Sequence, residues 1–134
     1  MQKPKIGLCV SNDYSKPTTE ILHILAEIGF DAVSPEWEEG VNLTEITDTA
    51  RSLGMAVQSL HAPFGKSNLM WSADSTQSAA AKAELFSALE DCRRLEIPIL
   101  VLHTWIGFGY VFGETAYGFK NYGELIEKAK KYGI

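Results

Sequence analysis

Two histidines stand at matching places in the chain, His61 in "SLHAPF" and His103 in "LVLHTW". Each closes an apolar run and is followed by a small residue or an aromatic. A carboxylate, Glu36, closes a third such run in "AVSPEW". Neutral imidazoles and a carboxylate at neighbouring strand ends are the donor types a divalent metal takes. The same groups also serve as acid and base toward a sugar hydroxyl. A lone strand-end histidine is more often a packing residue, but two in register favour a site. Ser11, Asn12 and Asp13 close a fourth run. Trp37, Trp71 and Trp105 each follow a strand, where they serve equally as pocket walls or as caps on the core. His23 sits among apolar helical neighbours and carries no expected function.

These residues need a scaffold that brings strand ends together. Four apolar segments read as buried strands: 5–10, 30–36, 56–62 and 98–104. Near-continuous apolar runs suit a parallel sheet covered on both faces. Helical patterns lie between them. Ile21, Leu22, Leu25 and Ile28 form one stripe, with Ser15 or Thr18 as cap and Pro17 in the first turn. Asn42 opens the second helix with Glu45 three residues on, and Leu43, Ile46, Ala50 and Leu53 form its apolar face. Asp74 or Ser75 caps the third, whose inner residues are Phe86, Leu89, Cys92 and Leu95. A fourth covers about 121–132, with Leu125, Ile126 and Ala129. The loop "TWIGFGYVFGETAYGF" (104–119) is too apolar for a solvated linker and reads as a lid or pocket rim.

The order βαβαβαβα implies a parallel α/β sheet with right-handed crossovers. Helices 1 and 2 end "EIGF" and "SLGM", and the chain closes on "KYGI". Gly29, Gly54 and Gly133 fit the left-handed position past a helix end. Helix 3 departs from this rule, running "RLEIPIL" without glycine. The repeat predicts one domain over 1–134, a (β/α)4 half of a (β/α)8 barrel that stops before strand 5. A complete doubly wound sheet is the alternative. A nucleotide-binding version of it lacks support, since no GxGxxG and no GKS/T follows strand 1.

Composition narrows the function classes. At 46% hydrophobic and 22% charged residues, the chain reads as globular and not disordered. A net charge of −5 and the lack of a basic face argue against a protein that grips DNA phosphates. No run approaches the roughly 20 apolar residues of a membrane span, and the start lacks a signal-peptide core, so a cytoplasmic location is expected. Cys9 and Cys92 read as two buried, reduced thiols.

"SLHAPFGKSNL" followed by "EDCRRLEIPILVLHTW" resembles the xylose isomerase-like TIM-barrel superfamily, as do "KIGL" and "AEIGFDAV". That superfamily holds sugar phosphate isomerases and epimerases, and endonuclease IV-type AP endonucleases. The resemblance implies that His61 and His103 are the strand-3 and strand-4 histidines, and that Asn68 and Leu69 are the "NL" motif. In the endonuclease branch these two histidines bind zinc. In the isomerase branch they lie beside the substrate, and acids and a histidine of strands 5 to 8 hold the metal. Ser34 stands where the family often has glutamate, with Glu36 two residues on. The expectation is therefore metal-assisted proton transfer on a small sugar or sugar phosphate. Glu36, His61 and His103 are the catalytic candidates. Asn12, Trp37, Asn68 and Trp105 are the substrate contacts. The implied cofactor is a divalent ion: Mn, Mg, Co or Zn. A half-barrel is expected to be inactive alone and to self-associate through its open sheet edges. An AP endonuclease-like zinc phosphodiesterase and a non-catalytic half-barrel are the alternatives.

Overall fold

The computed structural model describes residues 5–63, 65–104 and 115–134. The strands are β1 (Gly7–Val10), β2 (Ala32–Pro35), β3 (Ala56–Val57), β4 (Leu60–His61) and β5 (Leu100–Val101). The helices are α1 (Thr18–Ile28), α2 (Leu43–Ser52), α3 (Ser75–Arg94) and α4 (Thr115–Tyr132), with a 3-10 helix over Ser67–Trp71. Every strand pairing is parallel, in the order β1-β2-β3 and β4-β5. This is the α/β arrangement expected from the alternating pattern.

The third strand departs from that pattern. Residues 56–62 read as one strand, but pairing changes sides in the middle. Ala56 and Val57 pair with Ala32 and Val33, whereas Leu60 and His61 pair with Leu100 and Val101. Gln58 N still donates to Val33 O at 3.0 Å, and Leu60 N already donates to Ile99 O at 2.9 Å. The break lies at Gln58–Ser59, and a buried hydroxyl pair covers it: Ser34 Oγ bonds to Ser59 Oγ and donates to Ser59 O at 3.2 Å.

The core lies between sheet and helices. Val10, Val33 and Leu60 are fully buried against Leu22 of α1, Ala50 of α2 and Leu89 of α3. Each such side chain contributes about 1.5–3 kcal/mol by leaving water. Two expected inner positions lie elsewhere: Ile28 is 68% exposed and Ile126 50% exposed. Leu25 and Leu125 provide the buried contacts at those helix ends. An apolar groove of about 280 Å³ runs beside β5, lined by Ile99, Leu102, Ile126 and Ile134 among others.

Capping follows local chemistry. Asn42 Oδ1 accepts from Glu45 N, and Asp74 Oδ1 accepts from Thr76 N and Gln77 N. Helix α1 starts without a side-chain cap: Pro17 holds that place, and Thr18 Oγ1 donates instead to Asn12 Oδ1. Helix α4 starts at Thr115, several residues earlier than the pattern indicates. Residues 115–119 of the expected lid are therefore helix, and 105–114, with Trp105, lie outside the described residues. Gly118 lets this helix approach Trp71: a Cβ there would lie 2.0 Å from the indole. Asn121 Nδ2 donates to Met70 O at 2.9 Å, completing the contact.

Helix α3 and helix α4 are also tied by Glu90, which accepts from Lys128 Nζ at 2.6 Å and Tyr132 Oη at 2.5 Å. These two bonds, the lysine first, hold the Glu90 carboxyl down at about 2. Because this pKa is depressed, the tie is complete above the ordinary carboxylate range and lost as pH falls toward 2. The site is solvent-facing, so its weight is modest.

All four helices end alike. Phe30 N reaches Leu25 O, Met55 N reaches Ala50 O, Ile97 N reaches Cys92 O, and Ile134 N reaches Ala129 O, at 2.8–3.1 Å. These are six-to-one closures that need a left-handed residue just before the donor. Gly29, Gly54 and Gly133 supply it with φ of 104°, 77° and 75°. In α3, where the glycine is missing, Glu96 takes φ 55°, a strained value for a residue with a Cβ. Glu96→Gly is expected to stabilise the protein by about 0.5–1 kcal/mol, the relief of strain minus the added freedom of the unfolded chain. Thermal unfolding should rise by a few degrees; an unchanged or lower midpoint contradicts the strain assignment.

Candidate functional site

The break in the third strand decides which side chains meet. Successive residues of a strand face opposite sides of a sheet. A Cβ on Gly7 would touch the Gln58 side chain at 3.1 Å and Ala32 Cβ at 3.3 Å, so these three share a face. Cys9 follows Gly7 by two and Glu36 follows Ala32 by four, so both lie on that face. His61 follows Gln58 by three, and unbroken alternation would send it to the opposite face. The extra residue at the break reverses this, as a bulge does. The Cys9 sulfur, a Glu36 oxygen and a His61 nitrogen consequently lie within 4.8 Å of one another.

The backbone holds these groups firmly. Glu36 N donates to Val10 O at 3.0 Å, and Trp37 N donates to His61 O at 2.8 Å. Ala62 N donates to Val101 O at 2.9 Å. His61 Nε2 then faces His103 Nε2 at 2.9 Å, with ring centroids 4.7 Å apart. At that distance one ring presents its N–H and the other a lone pair.

A cavity of about 280 Å³ opens over these residues, lined by Asn12, Asp13, Glu36, Trp37, Glu38, His61, Ala62, Pro63 and Gly65. That is the small end of ligand pockets, which run roughly 300–1,000 Å³. Trp37 is a fixed wall, since its Nε1 donates to Asp91 Oδ2 on α3 at 2.8 Å. Asn12 lines the cavity and ties its strands: Asn12 Nδ2 donates to Glu36 O at 3.3 Å. Of the expected site residues, Asn12, Glu36, Trp37 and His61 share the cavity wall, and His103 stands against His61. Asn68 lies on the 3-10 helix and is not among the lining residues. Trp71, the alternative wall tryptophan, donates from Nε1 to Thr104 O at 2.8 Å and packs on α4. Ser34, at the position where glutamate was expected, is buried in the contact with Ser59 and does not reach the cavity.

Cys9 corrects the sequence reading. It is exposed, not buried, while Cys92 is buried as expected. Strand alternation puts Cys9 on the side of Gly7, but which side meets the helices is set by the register with β2. Desolvation and then the nearby Glu36 charge raise the Cys9 thiol pKa, partly offset by its backbone hydrogen bond. Burial pushes Cys92 further, up to about 12. The reactive thiolate of Cys9 therefore forms only as pH rises past the ordinary thiol range. Glu36→Gln removes a repelling charge and is expected to speed iodoacetamide labelling of Cys9 several-fold at fixed pH, with Cys92 unlabelled until unfolding. An unchanged labelling rate contradicts the placement of Glu36 beside Cys9.

No family model matches the chain, and no curated protein matches it. Solved structures do match in three dimensions. A D-psicose 3-epimerase from Clostridium cellulolyticum H10, solved with D-tagatose, superimposes with TM-score 0.72 at 17% identity over 98% of this chain. An L-ribulose 3-epimerase gives TM-score 0.75 at 18% identity over 97%. A family 2 AP endonuclease from Brucella melitensis gives 0.73 at 17% over 98%. The matched parts are 50%, 47% and 53% of those chains, so this chain spans about half the length of the structures it matches. The chain has the parallel α/β fold found in about half of each of these structures.

Proposed function

We propose that this chain forms the strand 1 to 4 side of a carbohydrate site whose chemistry is proton transfer next to a carbonyl, as in sugar isomerases and epimerases. The carrying observation is the cavity at the strand ends, where Glu36 and His61 line one wall and His103 backs His61. Glu36 is the base that accepts a carbon-bound proton. His61 donates to the substrate oxygen, and His103 holds the His61 ring and its proton in place. General acid–base contacts of this kind contribute about 10²–10⁴-fold in rate. Trp37 offers a flat apolar face on which a sugar ring or chain lies.

The lining also selects among substrates. Asp13, Glu36 and Glu38 face the cavity, and among the described residues that line it none is lysine or arginine. A phosphate ester would meet carboxylates without a cation to offset them. The reading is therefore an unphosphorylated ketose. The same acidic lining, with a net charge of −5, speaks against the phosphodiesterase alternative. A divalent ion supplies charge stabilisation to the developing oxyanion in such reactions. The donors gathered here include a thiol, so they do not fit the all-oxygen site that Mg or Mn takes.

The test pairs binding with exchange. By ligand-observed NMR, a neutral ketohexose or ketopentose should bind about fivefold or more tightly than its phosphate ester, because a single repelling charge pair at this range costs on the order of 1 kcal/mol. Against the inactivity expected of a half-barrel alone, this reading predicts that in D₂O the protein washes deuterium into the carbon beside the ketose carbonyl. His61→Ala and Glu36→Gln should lower that rate about 100-fold while circular dichroism stays unchanged. Tighter binding of the phosphate ester, or exchange at the wild-type rate in both variants, contradicts the proposal.

A further inference from the structure

We infer that Cys9, Glu36 and His61 form a binding site for a thiophilic divalent ion, of which zinc is the reference case. The sulfur, carboxylate oxygen and imidazole nitrogen lie within 4.8 Å of one another on one face of the sheet. Around a tetrahedral zinc, ligand atoms at 2.0–2.3 Å from the ion are separated from each other by roughly 3.3–3.8 Å. To coordinate one ion the observed set contracts by at most about an ångström.

Three features set this cluster apart from a chance grouping. Each ligand comes from a different strand or its direct continuation, so the backbone fixes all three. Cys9 lies in register with Ser34, Glu36 N is bonded to Val10 O, and residue 36 bridges residue 61. Sites built on such elements are better organised than sites on loops. The mixed sulfur, nitrogen and oxygen set matches a thiophilic ion rather than a hard one, since Mg and Ca take oxygen alone. Finally, His103 Nε2 stands 2.9 Å from His61 Nε2, so a second imidazole flanks the set.

Three protein ligands leave the remaining position for water or substrate, as in catalytic zinc sites. Coordination sends the Cys9 thiol proton to the buffer and leaves a thiolate on the ion. It also ties up Glu36 and His61, which then cannot serve as free base and acid. The inference does not rest on the proposed carbohydrate chemistry, because metal binding is measured with no sugar present.

Untagged, reduced protein stripped with chelator and titrated with Co²⁺ should develop a thiolate-to-cobalt charge-transfer band that saturates near one ion per chain. Zn²⁺ should bleach that band. Cys9→Ser should abolish it, and Cys92→Ala should retain it. Glu36→Gln and His61→Ala should each weaken Zn²⁺ binding by about 100-fold in calorimetry. If a variant unfolds, wild-type protein alkylated at Cys9 makes the same measurement, and it should show no band. A wild-type protein without the band at saturating Co²⁺, or a band that survives loss or alkylation of Cys9, overturns the inference.

Discussion

One extra residue in the third strand, at Gln58–Ser59, decides which way His61 faces. A parallel ladder with unbroken alternation would turn that imidazole toward the helices, where it would need a buried partner. The break moves it to the face that carries Cys9 and Glu36 and lets residue 61 bridge residue 36. It also frees the second part of the strand to pair with β5, which carries His103 toward the same point. The Ser34–Ser59 hydroxyl contact lies against this break. Serine at position 34 thus has a structural use, and the acid that lines the cavity stands two residues further on.

The rest of the fold keeps the strand ends aligned. Four helices close with the same left-handed hydrogen-bond pattern, so each chain reversal enters its next segment in a similar geometry. Where glycine is absent, Glu96 accepts the strained conformation, so the closure evidently outweighs a strain of about 1–2 kcal/mol. Gly118 performs a different task. It allows α4 to lie against Trp71, whose indole in turn donates to the backbone next to His103. Packing far from the cavity therefore bears on the segment that carries the second histidine.

Much of this was legible in the residues. Periodicity placed the helices and the order of the strands, and the glycine junctions gave their closures. Asn42 and Asp74 were readable as caps because a side-chain acceptor at that position is local chemistry. The break was not readable, because "AVQSLHA" carries no glycine or proline and its apolar residues do not announce a change of face. Only the neighbours, Ala32 on one side and Leu100 on the other, reveal it. Cys9 was missed for a related reason: "KIGLCV" looks uniformly apolar, and which of its residues meet helices depends on the register with β2. Glu36, His61 and His103 were singled out by their places at strand ends, and the structure brings them together, whereas Asn68 followed from a motif and is not among the residues lining the cavity. The start of α4 was obscured by a glycine and several aromatics that resemble a loop.

Glu36 and His61 belong to both chemistries proposed for this site, the free acid–base pair and the metal-ligand set. Each requires that the strand break turn His61 to the face that carries Glu36, where it also meets His103. The most direct measurement is long-range ¹H–¹⁵N NMR on the imidazole nitrogens of the metal-free protein. A hydrogen bond between the two Nε2 atoms should appear as a nitrogen–nitrogen coupling across it, with one ring protonated at Nε2 and the other not. Two rings without mutual coupling, each behaving as a solvent-exposed imidazole, would contradict the account.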